Sequence, residues 1–310
     1  MGKDYQKKKK DFTHTAKLDG TEREGLVTLH FGVSCDVIDD NGNVIRCHLR
    51  KNMAPCITGD RVLFREDHLQ QGVVVAVLPR RSLLAKPEKN GRLKLFAANI
   101  DQLIIVMAPP PLFSFYLLDR YLVAAAHLNI PPIILFHKTD LLDAKHYAEM
   151  QTLLNTYEIL NYPLIFSSII SPHGLDGLIA KLKNKSSVLV GLSGVGKSSI
   201  ISQLIGNPDI MIGKTAALSG LGKHTTTTTH LYPLPMGGNI IDSPGVREFS
   251  LNHLTRTEIL EGFTEFKPYL GQCKFRNCQH QAEPDCAIQE AIKAGKISLS
   301  RFESFCEICL

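Results

Sequence analysis

The sequence predicts a multidomain chain: an N-terminal β-barrel of OB type, a central α/β domain with a mostly parallel sheet, and a small, mostly helical C-terminal domain. Three observations predict it. Short β-rich stretches crowd residues 25–79, strand and helix patterns alternate from about residue 100 to residue 243, and beyond Phe266 the strands stop while Cys and His cluster.

At 310 residues the chain is roughly twice the length of a common single domain, which leaves room for two or three modules. Hydrophobic residues at 44% and charged residues at 21%, with 23 Gly and 16 Pro, exclude disordered, collagen-like and coiled-coil classes. Nowhere do about 18 apolar residues run together, and no apolar stretch follows the opening MGKDYQKKKK. No membrane span or secretory leader is therefore expected, and a cytoplasmic location is. Thirty-five Lys plus Arg against 30 Asp plus Glu give a formal charge of +5, which permits a polyanionic partner without requiring one. Eight cysteines in a chain this long do not suggest a disulfide scaffold.

Residues 1–17 hold Lys3 and the run from Lys7 to Lys10 with almost nothing to bury, which predicts a flexible basic tail; such a run also serves as a plain solubilising end. Residues 18–82 carry five β-rich stretches, GLVTLHF, VSCDVI, NVIRCHL, RVLFRE and GVVVAVL, between turn signals Asp40-Asn41-Gly42 and Thr58-Gly59-Asp60. Five strands is the count of an OB-type barrel, a fold that often binds nucleic acid and equally serves as a docking module. Cys35, Cys47 and Cys56 fall there as small core hydrophobes.

The α/β domain spans 83–265, past a basic link at Arg80-Arg81 and a break at Lys86-Pro87. Buried-strand runs stand at 102–108, 132–136, 163–167, 187–191 and 239–243, and helical spacing of apolar residues at 115–128 and 142–157. Residues 266–310 form the C-terminal domain, with a helical stretch AIQEAIKAG.

Gly191-Leu192-Ser193-Gly194-Val195-Gly196-Lys197-Ser198 fits G-x4-G-K-[ST] between a strand pattern and a helix pattern. Glycines let the backbone wrap a phosphate chain with its N–H groups inward, and the helix adds its positive N-terminus. Lys197 then reaches the β- and γ-phosphates and Ser198 supplies a Mg2+ ligand, with Ser199 in the same nucleotide-contacting stretch. Asp242-Ser243-Pro244-Gly245 closes the strand pattern NIID, offering a carboxylate for water-mediated Mg2+ contact and, at Gly245, an N–H for a γ-phosphate. Between the two motifs lies Gly222-Lys223-His224-Thr225-Thr226-Thr227-Thr228-Thr229, where Thr226 or Thr227 can give Mg2+ its second hydroxyl. A threonine run of this kind is most simply a mobile loop, and a switch is a mobile loop that a γ-phosphate orders.

Guanine recognition calls for a carboxylate on N-K-x-D at a strand end. After the phosphate loop there is none; before it, PIILF runs into His137-Lys138-Thr139-Asp140, and PLIF runs into Ser167-Ser168, where a short loop would touch the base. The order along the chain is base motif, base loop, phosphate loop, threonines, D-x-P-G, a circular permutation of the usual GTPase order. Permutation is permissible because domain termini commonly lie close together. Asp140 also argues against an ATPase.

On these motifs, H-K-T-D, G-L-S-G-V-G-K-S, G-K-H-T-T-T and D-S-P-G-V-R-E-F in that order, the chain resembles the circularly permuted ribosome small subunit-dependent GTPase A family over about residues 25–290. The resemblance implies GTP hydrolysis with Mg2+ in late maturation of the small ribosomal subunit. It also implies rRNA contacts from the barrel and the C-terminal domain; a monomer is expected. His137 departs from the family's usual Asn or Thr, which puts in question the packing between loops, and Ser168 replaces the usual Ala. Val246 stands where most switch GTPases place a water-orienting glutamine. The resemblance points to His224 for that task; a histidine in a polar loop is otherwise simply solvated. Arg247 fits either a charge contributor or a surface ion pair. Slow intrinsic turnover, completed by a partner, is expected, and a nucleotide-gated RNA-binding module with little hydrolysis is the alternative.

Cys273, Cys278, His280 and Cys286 supply three thiols and an imidazole within 14 residues. That donor set suits one structural Zn2+, standing in for a core that so short a segment cannot build, and it matches the family's ligand set. Cys306-x2-Cys309 offers a competing pair. Because D-S-P-G leads into this segment through residues 246–265, loss of the γ-phosphate is expected to move the C-terminal domain.

Overall fold

The computed structural model describes residues 20–50, 53–66, 71–87, 93–206, 229–243 and 251–310. In chain order its strands are β1 (Arg23–His30), β2 (Ser34–Ile38), β3 (Val44–Leu49), β4 (Arg61–Glu66), β5 (Gly72–Val77), β6 (Leu83–Pro87), β7 (Leu93–Ala98), β8 (Gln102–Met107), β9 (Pro132–His137), β10 (Leu164–Ser167), β11 (Ser186–Val190), β12 (His230–Pro233) and β13 (Asn239–Asp242). Its helices are α1 (Phe115–Leu128), α2 (Ala144–Ile159), α3 (Asp176–Leu182), α4 (Lys197–Ile205), α5 (Arg256–Glu261), α6 (Ala287–Lys293) and α7 (Leu299–Ile308). Among the described residues no helix is long and apolar enough to cross a membrane. The chain divides into two compact units, the first drawn from 1–101, 182–188 and 204–246, the second from 102–181, 189–203 and 247–310.

The first unit holds the barrel. β1 pairs with β2, β2 with β3, β3 in parallel with β5, β5 with β4, and β4 returns to β1, so five strands close as the OB-type reading requires. Alternating burial along β1 to β4 sends Val27, Val37, Val62 and Phe64 inward. Cys35, Cys47 and Cys56 lie in that core, and burial pushes the Cys47 thiol up to about 12, so it stays a neutral, small hydrophobe.

Two hairpins of this unit go beyond the sequence reading, which holds only β13 of them, in its strand run at 239–243. β6 and β7 form a ribbon in which Lys86-Pro87, expected as a break, pairs with Lys94 and Leu93. Pro87 is the last residue of its strand, a position where a missing N–H is tolerated. β12 and β13 form the second hairpin, and Leu29 of β1 pairs with His230 of β12, so the barrel sheet continues into it.

The second unit is an α/β layer in which β8, β9 and β10 run parallel in the order β10-β9-β8. Every residue of β8 is buried, as a strand covered on both faces demands. α1 starts where the Ser114 hydroxyl accepts from the Leu117 N–H, and ends at Asn129, whose left-handed backbone caps the last turn.

The C-terminal segment packs on α1 in this unit, and here the sequence reading is corrected. Val123 and Ala124 join Ile259, Phe263, Phe266, Ile288, Phe302 and Phe305 in one core, so the metal ligands are not a substitute for a missing one. Aromatic residues supply it, with the Phe263 and Phe266 rings 5.0 Å apart. Through that core runs a buried ionic cluster. Arg301 of α7, 1% exposed, donates to Asp119 of α1 and, at 2.6 and 3.1 Å, to both oxygens of Glu265. The Tyr157 hydroxyl of α2 donates to Asp119 at 2.7 Å.

Candidate nucleotide site and metal cluster

β11 runs into the phosphate loop, residues 191–196, and α4 begins at Lys197, so the motif occupies the strand–loop–helix setting its chemistry requires. Gly191, Gly194 and Gly196 all have positive φ. The Lys197 amine folds along the loop, donating to the carbonyls of Gly191 at 2.8 Å and Leu192 at 2.6 Å. A buried ammonium needs such acceptors, and phosphate oxygens are stronger ones.

Parallel register places the base motif and the base loop at the same sheet end, because His137 ends β9 opposite Ser167, which ends β10. The Thr139 hydroxyl donates to the Ser167 carbonyl at 3.2 Å, and the Ser168 hydroxyl donates to Asp140. Asp140 is exposed and Ser168 buried. Lys138, held in the left-handed region at φ 61°, extends to the phosphate loop and donates to the Gly194 carbonyl at 2.6 Å.

His137 answers the packing question raised by its unusual identity. Its ring is 1% exposed, with Nδ1 2.9 Å from the Ser167 hydroxyl. On its other side lies Gly196: a Cβ there would fall 2.6 Å from the imidazole Cδ2, so only glycine admits this ring beside the loop at φ +105°. The imidazole thus does the joining between base loop and phosphate loop.

Burial holds the His137 pKa down at about 4, against 6.5 for a free imidazole. A group whose folded pKa is depressed favours the state without the proton, so the unfolded chain binds it more readily below pH 6.5. Folding stability from this site is complete above pH 6.5 and falls progressively toward pH 4. Denaturant titrations at pH 7.5 and pH 5 (both about a unit or more from the free value) should show a larger acid loss for the wild type than for His137→Asn; equal losses would remove His137 as the cause.

Asp242 closes β13 in the first unit, opposite His230 of β12. Its neighbour Ser243 is buried, with its hydroxyl 3.0 Å from that of Thr229. His224, Thr226, Thr227 and Gly245, with Val246 and Arg247, lie outside the described residues.

The structure gathers the four predicted metal ligands. One donor atom from each of Cys273, Cys278, His280 and Cys286 lies within 4.8 Å of the others. Cys273 Sγ stands 3.8 Å from Cys286 Sγ and 3.5 Å from His280 Nδ1, and the latter is 3.4 Å from Cys286 Sγ. Tetrahedral bonds of about 2.3 Å to sulfur and about 2.0 Å to nitrogen require separations of about 3.8 and 3.5 Å, which the donors of Cys273, His280 and Cys286 meet, with Cys278 within 4.8 Å of them. Cys306 and Cys309 pack on the adjoining apolar core and are not in the cluster.

A family model described as RsgA GTPase matches residues 77–252. The chain belongs to the RsgA GTPase family. It is similar over most of its length to proteins named small ribosomal subunit biogenesis GTPase RsgA. That of Pseudomonas aeruginosa (strain LESB58) is 45% identical over 286 residues, covering 92% of this chain and 84% of that protein. The relative from Azotobacter vinelandii (strain DJ / ATCC BAA-1303) is 46% identical over 290 residues, with the same coverage. Among solved structures, YjeQ from Thermotoga maritima superposes with a TM-score of 0.74 at 32% identity, covering 93% of this chain and 97% of that one. YloQ, described as a circularly permuted GTPase, gives 0.71 at 25% identity, covering 95% and 96%. Membership of the RsgA GTPases makes this chain a GTP-hydrolysing enzyme, and its reaction implies Mg2+ on the nucleotide.

Proposed function

We propose that this RsgA-family chain hydrolyses GTP in late maturation of the small ribosomal subunit, binding that subunit and its rRNA and being stimulated by it. The observation that carries the reading is the joining of base motif to phosphate loop, by Lys138 on Gly194 and His137 on Gly196. The relatives' name supplies the subunit. Asp140 and Lys138 take the guanine, with His137, Thr139, Ser167 and Ser168 shaping its loop, and residues 191–199 wrap the phosphates. Ser198, with Thr226 or Thr227 and with Asp242, would hold Mg2+, which would supply positive charge to the phosphates. The Gly245 N–H meets the γ-phosphate, and His224 orients the attacking water, since Val246 has no polar side-chain atom.

Cys273, Cys278, His280 and Cys286 hold one Zn2+, a closed set of thiolate and imidazole that leaves no position for chemistry. In this reading residues 1–17 are a basic tail, 18–82 the barrel, 83–265 the permuted GTPase domain and 266–310 the zinc domain of a cytoplasmic monomer.

Phosphate release from GTP tests the whole. Small subunits, and not large ones, should raise the rate, and His224→Ala should lower the stimulated rate by about a hundredfold with GTP affinity kept. A slow rate that subunits leave unmoved would overturn the proposal in favour of a nucleotide-gated RNA-binding module.

A further inference from the structure

We propose that the switch segments act on the barrel, and that Thr58 is the positioning residue through which they do so. The inference rests on the GTPase reading of the threonine run and of D-S-P-G. Each of those motifs reaches into the described residues, the first through Thr229 and the second through Asp242 and Ser243, and Thr229 meets Ser243. The Thr229 hydroxyl is 3.0 Å from the Ser243 hydroxyl. The Thr229 carbonyl accepts, at 3.0 Å, from the hydroxyl of Thr58, in the loop between β3 and β4. Thr58, Thr229 and Ser243 are 2%, 9% and 2% exposed, so this chain of hydroxyls is out of water.

The loop that receives the contact has little freedom to absorb a displacement. The Gly59 N–H donates to Val27 of β1 at 2.8 Å, the Thr58 carbonyl accepts from Ala98 of β7 at 3.0 Å, and Asn99 donates to the Gly59 carbonyl at 2.8 Å. A Cβ on Gly59 would lie 2.3 Å from the Ala98 carbonyl oxygen, so the two residues touch backbone to backbone. Buried Asp60 accepts from Arg80 at 2.6 and 2.7 Å and from the Ile57 N–H at 2.8 Å. Moving Thr229 or Ser243 either carries this loop along or leaves buried donors and acceptors unpaired, and the second is unfavourable.

The C-terminal segment is differently placed. In the second unit its phenylalanines and Arg301 fasten it to α1 and α2, which makes it a fixed part of the unit that carries the phosphate loop. On this proposal D-S-P-G acts first on the barrel, whereas the sequence expectation has it move the C-terminal domain, and the two differ in what amide exchange should report.

Amide exchange on the full chain, loaded with GDP or with a non-hydrolysable GTP analogue, tests this. Peptides over residues 53–66 should differ by about threefold in exchange rate between the two states, and peptides over 256–308 should not. Thr58→Val, which keeps the shape and loses the donor, should erase the difference with analogue affinity within about twofold of wild type, and Thr58→Ser should restore it. Should Thr58→Val fail to fold, Ser243→Ala breaks the chain from its other end. Identical exchange of 53–66 in both states, a Thr58→Val protein that behaves as wild type, or a change confined to 256–308 would overturn the inference. Failure of the GTPase reading would show separately, as no analogue binding by the wild type.

Discussion

Lys197→Ala is expected to lower GTP hydrolysis by at least about a hundredfold, the scale on which a preorganised charge at developing anionic oxygens acts. The Lys197 amine is nearly buried and donates to two carbonyls of the phosphate loop itself. In that position the cation complements an anion that the loop is shaped to hold. Folding should therefore suffer little, because the substitution removes a desolvated charge together with its needs. Single-turnover phosphate release, measured beside a denaturant titration, separates the two effects. An unchanged rate would take the phosphate loop out of the reaction, whereas a parallel collapse of stability would make Lys197 a structural residue.

The largest expected effect on stability lies at Arg301. Removing one partner of a buried ionic cluster leaves the others charged and unpaired, which costs about 3–5 kcal/mol. Arg301→Met would strand Asp119 and Glu265 in the core that also holds Phe263, whose ring lies 4.5 Å from the guanidinium. Arg301→Lys should rescue little. The guanidinium donates through three nitrogens to two carboxylates on different elements, a fork that a single ammonium does not reproduce. Urea titration, with amide exchange over α6 and α7, would register the loss; a midpoint unchanged in both variants would mean that the aromatic core alone secures the segment.

What could be read in advance divides by chain distance. β8 and α1 are legible because an unbroken apolar run from Leu103 to Ala108 and a 14-residue helical period each encode their own environment. The phosphate loop was legible because its chemistry sits in eight adjacent residues, and the metal set because four soft donors crowd 14 residues. Spacing left Cys306 and Cys309 as rivals, and only geometry set them aside. β6 and β7 were missed because Lys and Pro interrupt a short ribbon, and α7 because its buried face includes an arginine. The contact between Thr58 and Thr229 spans 171 residues, and no local pattern announces it. His137 stands out in the sequence as a departure from the usual Asn or Thr; its fit against Gly196 depends on two loops 59 residues apart in sequence meeting in space.

The bond between Arg301 and Asp119 joins residues 182 positions apart. At about 5–20 residues per second of synthesis, Asp119 waits on the order of 10–40 s for its cation. During that interval the apolar face of α1 at Val123 and Ala124 also lacks the phenylalanines that later cover it. The pairings that close the barrel join strands within the first 77 residues and face no such delay, although β1 also waits for His230 of β12. The unit that carries the phosphate loop is therefore completed by a growing polypeptide well after the barrel closes, and a chain that stops short of Arg301 leaves the ribosome with its phosphate loop on an unfinished scaffold.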